Sequence, residues 1–580
     1  PQALVPPVSR PGIYMVADYV GMDPHHYGLS GALRTFDWSE IEVQEEVYDW
    51  TPVEEWLELQ AGLGKAAGIG ISTYNGACCG GIEALPEYLR NNPDVVWISY
   101  RGQHIPRYWS DAYKEPYRRF VNELGRQYKD DPRVEFIAIG TGMYGEIRAW
   151  DEQDDQAAKD LEGATAQLWI DTVNEITDYY VEAFSEGGQL KKVLFNQTGT
   201  YTFHARERQD IAQYSAEHGV GLSINGLYPE SMGARCGGLC QYDQLFLYGD
   251  QVPTAWETYD YMIGCDEHAT SVYWAILNGL DKHPQYLRLN IDLFAEPGEN
   301  GYGELPLGPD KEENIEVFQW ARHYLAATID NTPSVWVAMR DVRAPWQTCW
   351  MAAKGISPEP EWSPQRGNYD FWLYQLDDIA GGQTVVETNF CTTYDGTALN
   401  KPDCNPHLPS GREGWVIRRT DQETGNYYMW FDIDDGYIYG GTNAVTITVT
   451  YWDNDTDTWS LHYDAVGGQE KAAIPLGSNN PWVQKTGSNT YQKAVFRITD
   501  ARFANGLTGG TDFYIDCEND GDEWIHFVDL TNGQWTPVWE VPTPTPTPTP
   551  MPTNTPTATP TIAPADITHL LTSFLTCPLS

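Results

Sequence analysis

Residues Val134–Trp150 read VEFIAIGTGMYGEIRAW, and this stretch decides the fold. Val134, Phe136, Ile137 and Ile139 form a short apolar run preceded by the turn-forming Asp130-Asp131-Pro132. Such a run predicts a strand buried on both faces, as in a parallel sheet. Gly140, Gly142 and Gly145 then allow the backbone to turn sharply. Glu146 follows, flanked by Tyr144, Arg148 and Trp150. A carboxylate just past the C-terminal end of a parallel strand lies in the mouth of a (β/α)8 barrel, where active sites are built.

Strand-like and helix-like segments alternate on both sides of this stretch. Strands are expected at Gly12–Tyr19, Gly68–Thr73, Val95–Tyr100, Val134–Ile139, Lys192–Asn196, Gly219–Asn225, Val252–Glu257 and Ser271–Leu277. Helices are expected after Thr51-Pro52, over Asp111–Tyr128 and Gly163–Phe184, near Arg206–His218 and over Asn314–Thr328. Thr51-Pro52 with Glu54 and Glu55 is a helix-start pattern of cap residue, early proline and early acids. Eight strands alternating with helices predict an α/β fold, a (β/α)8 TIM barrel over residues 10–350 after a short lead-in, 1–9.

Beyond a connecting segment, 351–367, the texture changes. Residues 368–540 show strand-like alternation, as in AVTITVTYW (Ala444–Trp452), and predict an all-β sandwich. Residues 541–563 hold a Thr-Pro repeat, an extended spacer, and 564–580 form an unassigned tail.

Composition narrows the function. The 580 residues carry 36 basic and 82 acidic side chains, a formal charge of −46, which argues against nucleic acid and anionic membranes as partners. No apolar run is long enough for membrane insertion. The 23 Trp and 36 Tyr offer flat faces that suit sugar rings and also fill cores. Ten cysteines, an even number, allow all to be paired, with Cys78 and Cys79 bonded to others rather than to each other; disulfides suit an exported protein. The chain begins at Pro1 with no visible signal peptide, and we read it as a mature, secreted form. Cys236 and Cys240 lack a matching second ligand pair for zinc. The acidic turn Asp453–Asp457 lacks the glycine and terminal glutamate of an EF-hand calcium loop and reads as a hairpin turn.

Glu257 is the second carboxylate of interest. It ends Val252–Glu257 as Glu146 follows Val134–Ile139, so strands four and seven can present two carboxyls across the mouth. Two opposed carboxylates are the machinery of glycoside hydrolysis. Glu230 is a rival carboxylate. Tyr74, Asn75, Arg101, His104, Tyr144, Arg148 and Tyr228 fall in strand-end loops and are candidate sugar contacts.

Three stretches carry a family likeness: Phe36-Asp37-Trp38-Ser39-Glu40-Ile41-Glu42 with Tyr48-Asp49-Trp50; Tyr117 to Glu146, with Asp131-Pro132-Arg133-Val134; and Ala255-Trp256-Glu257. In these, residues 10–345 resemble the clan A glycoside hydrolases, in particular the β-galactosidase-like members. The resemblance implies a retaining (β/α)8 enzyme, with Glu146 as acid/base and Glu257 as nucleophile, acting on an oligo- or polysaccharide and requiring no cofactor or metal. It also implies sugar contacts at Trp256 beside the nucleophile and at Trp274 in strand eight. Most of the clan has Asn before the acid/base, whereas Gly145 stands here; Asn196 or Asn225, at the ends of strands five and six, are candidates to replace it. That departure keeps open a second reading, an inactive carbohydrate-binding or cell-surface protein on the same scaffold. A third is an inverting hydrolase using Glu230. Asn443–Tyr463, Thr499–Phe503 and Asp522–Phe527 resemble β-sandwich modules of secreted hydrolases, which implies contact with cell wall or polysaccharide.

Overall fold

The computed structural model describes residues 8–77, 79–99, 102–150, 164–229, 243–259, 269–298, 307–340, 367–388 and 416–533. Eight parallel strands close into a barrel, each beside its successor, with the last pairing the first. They are β1 (Gly12–Val16), β2 (Gly31–Asp37), β3 (Ala66–Ser72), β4 (Val134–Ala138), β5 (Val193–Gln197), β6 (Gly221–Asn225), β7 (Thr254–Thr258) and β8 (Tyr286–Asn290). Among the described residues, seven longer helices alternate with them: α1 (Thr51–Gly62), α2 (Asp111–Tyr128), α3 (Ala166–Ala183), α4 (Arg206–Glu217), α5 (Asp243–Tyr248), α6 (Ala269–Leu280) and α7 (Glu312–Ala321). A one-turn helix, Pro24–Tyr27, joins β1 to β2. Every residue of β3 is buried, as a strand covered on both faces requires. Ser110 and Thr165 cap α2 and α3 by accepting from the amides of Ala112 and Leu168, which places each helix start.

Tyr14, Leu33, Ala66, Phe136, Val193, Phe195, Ala255 and Tyr286 fill the barrel interior below the mouth. Because side chains alternate along each strand, the intervening residues face outward to the helices.

Two expected strands are corrected, and one strand was missed. β2, which ends in Thr35-Phe36-Asp37, is not among the eight strands expected from the sequence. Val95–Tyr100 is not a barrel strand; Val96–Ile98 pairs antiparallel with His104–Pro106 in a separate hairpin. Ser271–Leu277 lies within α6, and the eighth strand is Tyr286–Asn290. A continuous apolar run such as SVYWAIL carries no period that separates a buried strand from a buried helix. The missed β2 and the surplus third strand cancel, so strands four to seven keep their numbers.

In the second domain, the described residues form thirteen strands in one hydrogen-bonded, antiparallel network. It begins ahead of the 351–367 connection, at Val335–Ala338, which pairs with Trp524–Asn532. Val337, Phe431, Val449, Leu461, Phe496, Phe513 and Val528 come from separate strands yet share one core, so the sheet curls around it. A second apolar cluster spans both domains: Trp274, Trp320 and Tyr324 of the barrel pack with Trp336, Phe371 and Phe527 of the sheet.

Cys79 is disulfide-bonded, whereas Cys517 is a free, buried thiol, so full pairing of the cysteines is corrected. Arg101, Glu230, Cys78, Cys236, Cys240, residues 351–366, the Thr-Pro segment and the tail lie outside the described residues. No helix among the described residues is long and apolar enough to cross a membrane.

Candidate active site

Glu146 is carried by the loop after β4, and that loop is shaped by its own backbone. Tyr144 and Gly145 both take left-handed φ angles, 58° and 80°. Glycine takes that conformation freely; tyrosine does so at a cost the surroundings must repay. The Tyr144 amide donates to the Tyr74 carbonyl at 2.8 Å, and the Gly142 and Met143 amides donate to the Glu146 and Arg148 carbonyls at 2.8 and 2.7 Å. Glu146 is thereby folded back over the mouth and is 6% exposed.

Glu257, 4% exposed, projects from β7. Its neighbour in register on β6 is Asn225. The Asn225 Nδ2 donates to Glu146 Oε1 at 2.7 Å. Parallel neighbours lie about 4.8 Å apart, so this contact places Glu146 against the residue that neighbours Glu257 on the next strand. On its other flank Glu257 pairs in register with Arg288 of β8, whose Nη1 lies 3.7 Å from Glu257 Oε2. The Tyr259 hydroxyl donates to Glu257 Oε1 at 2.5 Å. Burial pushes the Glu257 carboxyl above its ordinary pKa; Arg288 and the Tyr259 hydroxyl pull the other way, and the charge of Glu146 adds to the rise. Arg288 itself is fully buried between the rings of Phe136 and Phe195, 4.8 and 4.6 Å from their centroids. Burial lowers its pKa and Glu257 opposes that.

The other predicted contacts divide. Arg148 Nε lies 3.7 Å from Glu146 Oε2. Asn75 Nδ2 donates to both carboxylate oxygens of Asp37, at 2.9 and 3.1 Å, and Ser72 Oγ donates to Asn75 Oδ1 at 2.6 Å. Tyr74 is buried beneath the Tyr144 turn. Tyr228 follows β6, and burial pushes its hydroxyl up to about 12. Tyr74, Asn75, Tyr144, Arg148, Asn225 and Tyr228 therefore gather with the two glutamates at the C-terminal ends of the strands.

Four do not. His104 stands exposed on the hairpin, and no contact among the described residues ties it to either glutamate. Asn196 faces outward from β5; its amide donates to Thr177 of α3 and Ser215 of α4, both at 2.9 Å. Trp256 alternates with Glu257 along β7 and packs outward with Leu222, Ile224 and Val272. Trp274 sits on α6 against Tyr273, Tyr369 and His526, at the junction with the second domain. Of the two candidate asparagines, Asn225 is in the mouth and Asn196 behind the wall.

Arg288, Tyr259 and Asp37 were missed from sequence. Tyr286-Leu287-Arg288-Leu289 alternates about a central arginine, a signal obscured once Ser271–Leu277 stood as strand eight. Asp37 ends β2; burial pushes its carboxyl up to about 6, against the bond from Asn75.

Residues 24–156 match the model of the glycosyl hydrolase 42 family, beta-galactosidase. The match includes the loop of Glu146 and stops short of Glu257. Among solved structures, the catalytic domain of a beta-amylase from Paenibacillus polymyxa is 10% identical, with 55% of this chain and 99% of that one covered and a TM-score of 0.40. A GH5-4 broad specificity endoglucanase from an uncultured bacterium is 12% identical, with 55% and 95% covered and a TM-score of 0.37. No curated protein matches the chain. The first domain of this chain is thus a closed (β/α)8 barrel whose residues 24–156 are similar to that glycoside hydrolase family.

Proposed function

We propose that the chain is a retaining glycoside hydrolase acting on an oligo- or polysaccharide, with Glu146 as acid/base and Glu257 as nucleophile. The observation that carries this reading is Asn225, beside Glu257 in register and bonded through its amide to Glu146, which supports one shared mouth for the carboxylates of β7 and of the loop after β4. In the first step Glu146 gives its proton to the leaving oxygen while a Glu257 oxygen bonds the anomeric carbon. In the second, Glu146 removes a proton from water, which displaces Glu257 and restores the starting configuration. Glu146 Oε2 accepts no hydrogen bond among the described residues and is the oxygen available to carry that proton. Arg288 and Tyr259 favour the charged form of Glu257, as a nucleophile requires. The disulfide at Cys79 supports an exported protein.

The reverse assignment has one observation in its favour, the burial that raises the pKa of Glu257. Turnover of a panel of activated aryl glycosides by wild type, Glu146→Ala and Glu257→Ala, with azide added, separates the two. Azide that replaces a missing acid/base attacks the glycosyl-enzyme and gives an azido-sugar of retained configuration. Azide that replaces a missing nucleophile attacks the substrate and gives the inverted one. Inverted product from Glu146→Ala would exchange the roles, and no turnover of any glycoside by wild type would overturn the reading in favour of a carbohydrate-binding barrel.

A further inference from the structure

The loop that leaves β6, Gly226-Leu227-Tyr228-Pro229, is held from two sides. On the barrel side, the Gly226 and Leu227 amides donate to the backbone carbonyl of Glu257 at 2.7 and 3.0 Å. Gly226 takes a φ of 98°, and the Tyr228 ring lies so close that a Cβ at Gly226 would come within 2.9 Å of it. Asn278 Nδ2 of α6 donates to the Tyr228 carbonyl at 2.7 Å. On the far side, two residues that belong to the all-β domain converge on the next carbonyl. Arg340, which follows strand Val335–Ala338, donates from Nη1 to the Pro229 oxygen at 3.3 Å, and the Tyr369 hydroxyl donates to the same oxygen. Arg340 lies over the Tyr369 ring, 4.1 Å from its centroid, and is 2% exposed. It is fixed in turn by the sheet: its amide donates to Asn368 Oδ1 at 3.0 Å, and Arg418 Nε donates to its carbonyl at 2.9 Å.

We propose that Arg340 and Tyr369 are positioning residues of the barrel site, setting the loop of Tyr228 over the mouth, so that the all-β domain is a wall of the site rather than a detachable binding module. The inference rests on the glycosidase reading for its consequence and on the contacts alone for its geometry. A movement of Pro229 shifts Tyr228, and through the Gly226 and Leu227 amides it reaches the strand end that bears Glu257. The loop follows the strand end of Asn225 and carries Tyr228 but neither glutamate, so the property affected is substrate binding rather than the bond-breaking step.

The test uses the whole protein and three variants, Arg340→Met, Tyr369→Phe and Tyr273→Phe. Tyr273→Phe removes the 2.8 Å bond to His526 in the same interface without touching the loop, and it controls for general loosening of the two domains. Amide hydrogen exchange of residues 226–228 is expected to be about tenfold faster in Arg340→Met and Tyr369→Phe and unchanged in Tyr273→Phe. For any aryl glycoside that wild type cleaves, KM should rise about threefold or more in the first two variants while kcat stays within about twofold. Unchanged exchange at 226–228 in both loop variants, or the same acceleration in Tyr273→Phe, overturns the proposal. So does an unchanged KM beside accelerated exchange. If wild type cleaves no glycoside, the exchange comparison still decides the positioning role, and the glycosidase reading falls alone.

Discussion

As the proposed nucleophile, Glu257 has to be ionised to attack, and its surroundings act in both directions. Burial and the nearby charge of Glu146 favour the neutral acid; Arg288 and the Tyr259 hydroxyl favour the carboxylate. Arg288 is the group whose removal separates these effects, because its guanidinium is fully buried and lies 3.7 Å from Glu257 Oε2. With Arg288→Met the pKa of Glu257 rises further. A nucleophile works only above its pKa, so the acid limb of the kcat/KM profile should move to higher pH, by about one unit. A limb that stays in place would separate Arg288 from the ionisation of Glu257. A thermal melt of the same variant separates this effect from loss of the packing against Phe136 and Phe195.

At the scale of elements, the acidic hairpin turn of the all-β domain carries its own cation. Lys485 Nζ lies 2.8 Å from Asp457 Oδ1, 3.3 Å from Glu523 Oε2, 3.3 Å from Asn454 Oδ1 and 3.1 Å from the Asp522 carbonyl. Its side chain and that of Glu523 are fully buried. The carboxylate of Asp453 is occupied by Thr486 and Ser488. Burial alone would raise the pKa of Asp453, but these bonds outweigh it and hold the group below the usual carboxylate range. An ammonium thus stands among the oxygens that a bound cation would use. Lys485→Met should cost about 3–5 kcal/mol, since two carboxylates remain buried without their counter-charge. Chelation of divalent ions should leave the wild-type melting temperature unchanged. A melt that responds to chelator but not to Lys485→Met would reverse this account.

At the scale of the molecule, the two domains share an apolar cluster that several hydrogen bonds cross. Tyr273 bonds His526 across it, the Asp370 amide donates to Asp281 Oδ1 at 2.8 Å, and Ser334 links Tyr324 to Asp529 through bonds of 2.7 and 2.6 Å. Exposure of that cluster would accompany the melting of either domain alone. Calorimetry of the whole chain is therefore expected to give one cooperative transition. Two resolved transitions would mean that the shared cluster couples the domains too weakly to matter.

Local pattern was enough for part of this protein. The alternation of strands and helices, the apolar run of β4, the glycines after it and the carboxylates ending strands four and seven are properties of short windows, and short windows set secondary structure and turn conformation. They also placed Glu146 and Glu257 at corresponding ends of the barrel. The rest depended on contacts between distant residues. SVYWAIL became a helix because the barrel and the sheet both cover it, so its apolar faces carry no period. Asn225 and Asn196 end neighbouring strands with the same chemistry, yet one meets Glu146 and the other meets Thr177 and Ser215, because the facing of each strand end is decided by barrel closure. Arg288 gains meaning only from Glu257 on the next strand. Arg340 lies 83 positions beyond Glu257 in sequence and reaches its loop through the packing of one domain on another. Sequence alone determined most of the elements and the strand-end positions of Glu146 and Glu257; the second and eighth strands, and which polar groups surround the two carboxylates, were decided by tertiary structure, because burial and hydrogen-bond partners are properties of the closed barrel and its interface.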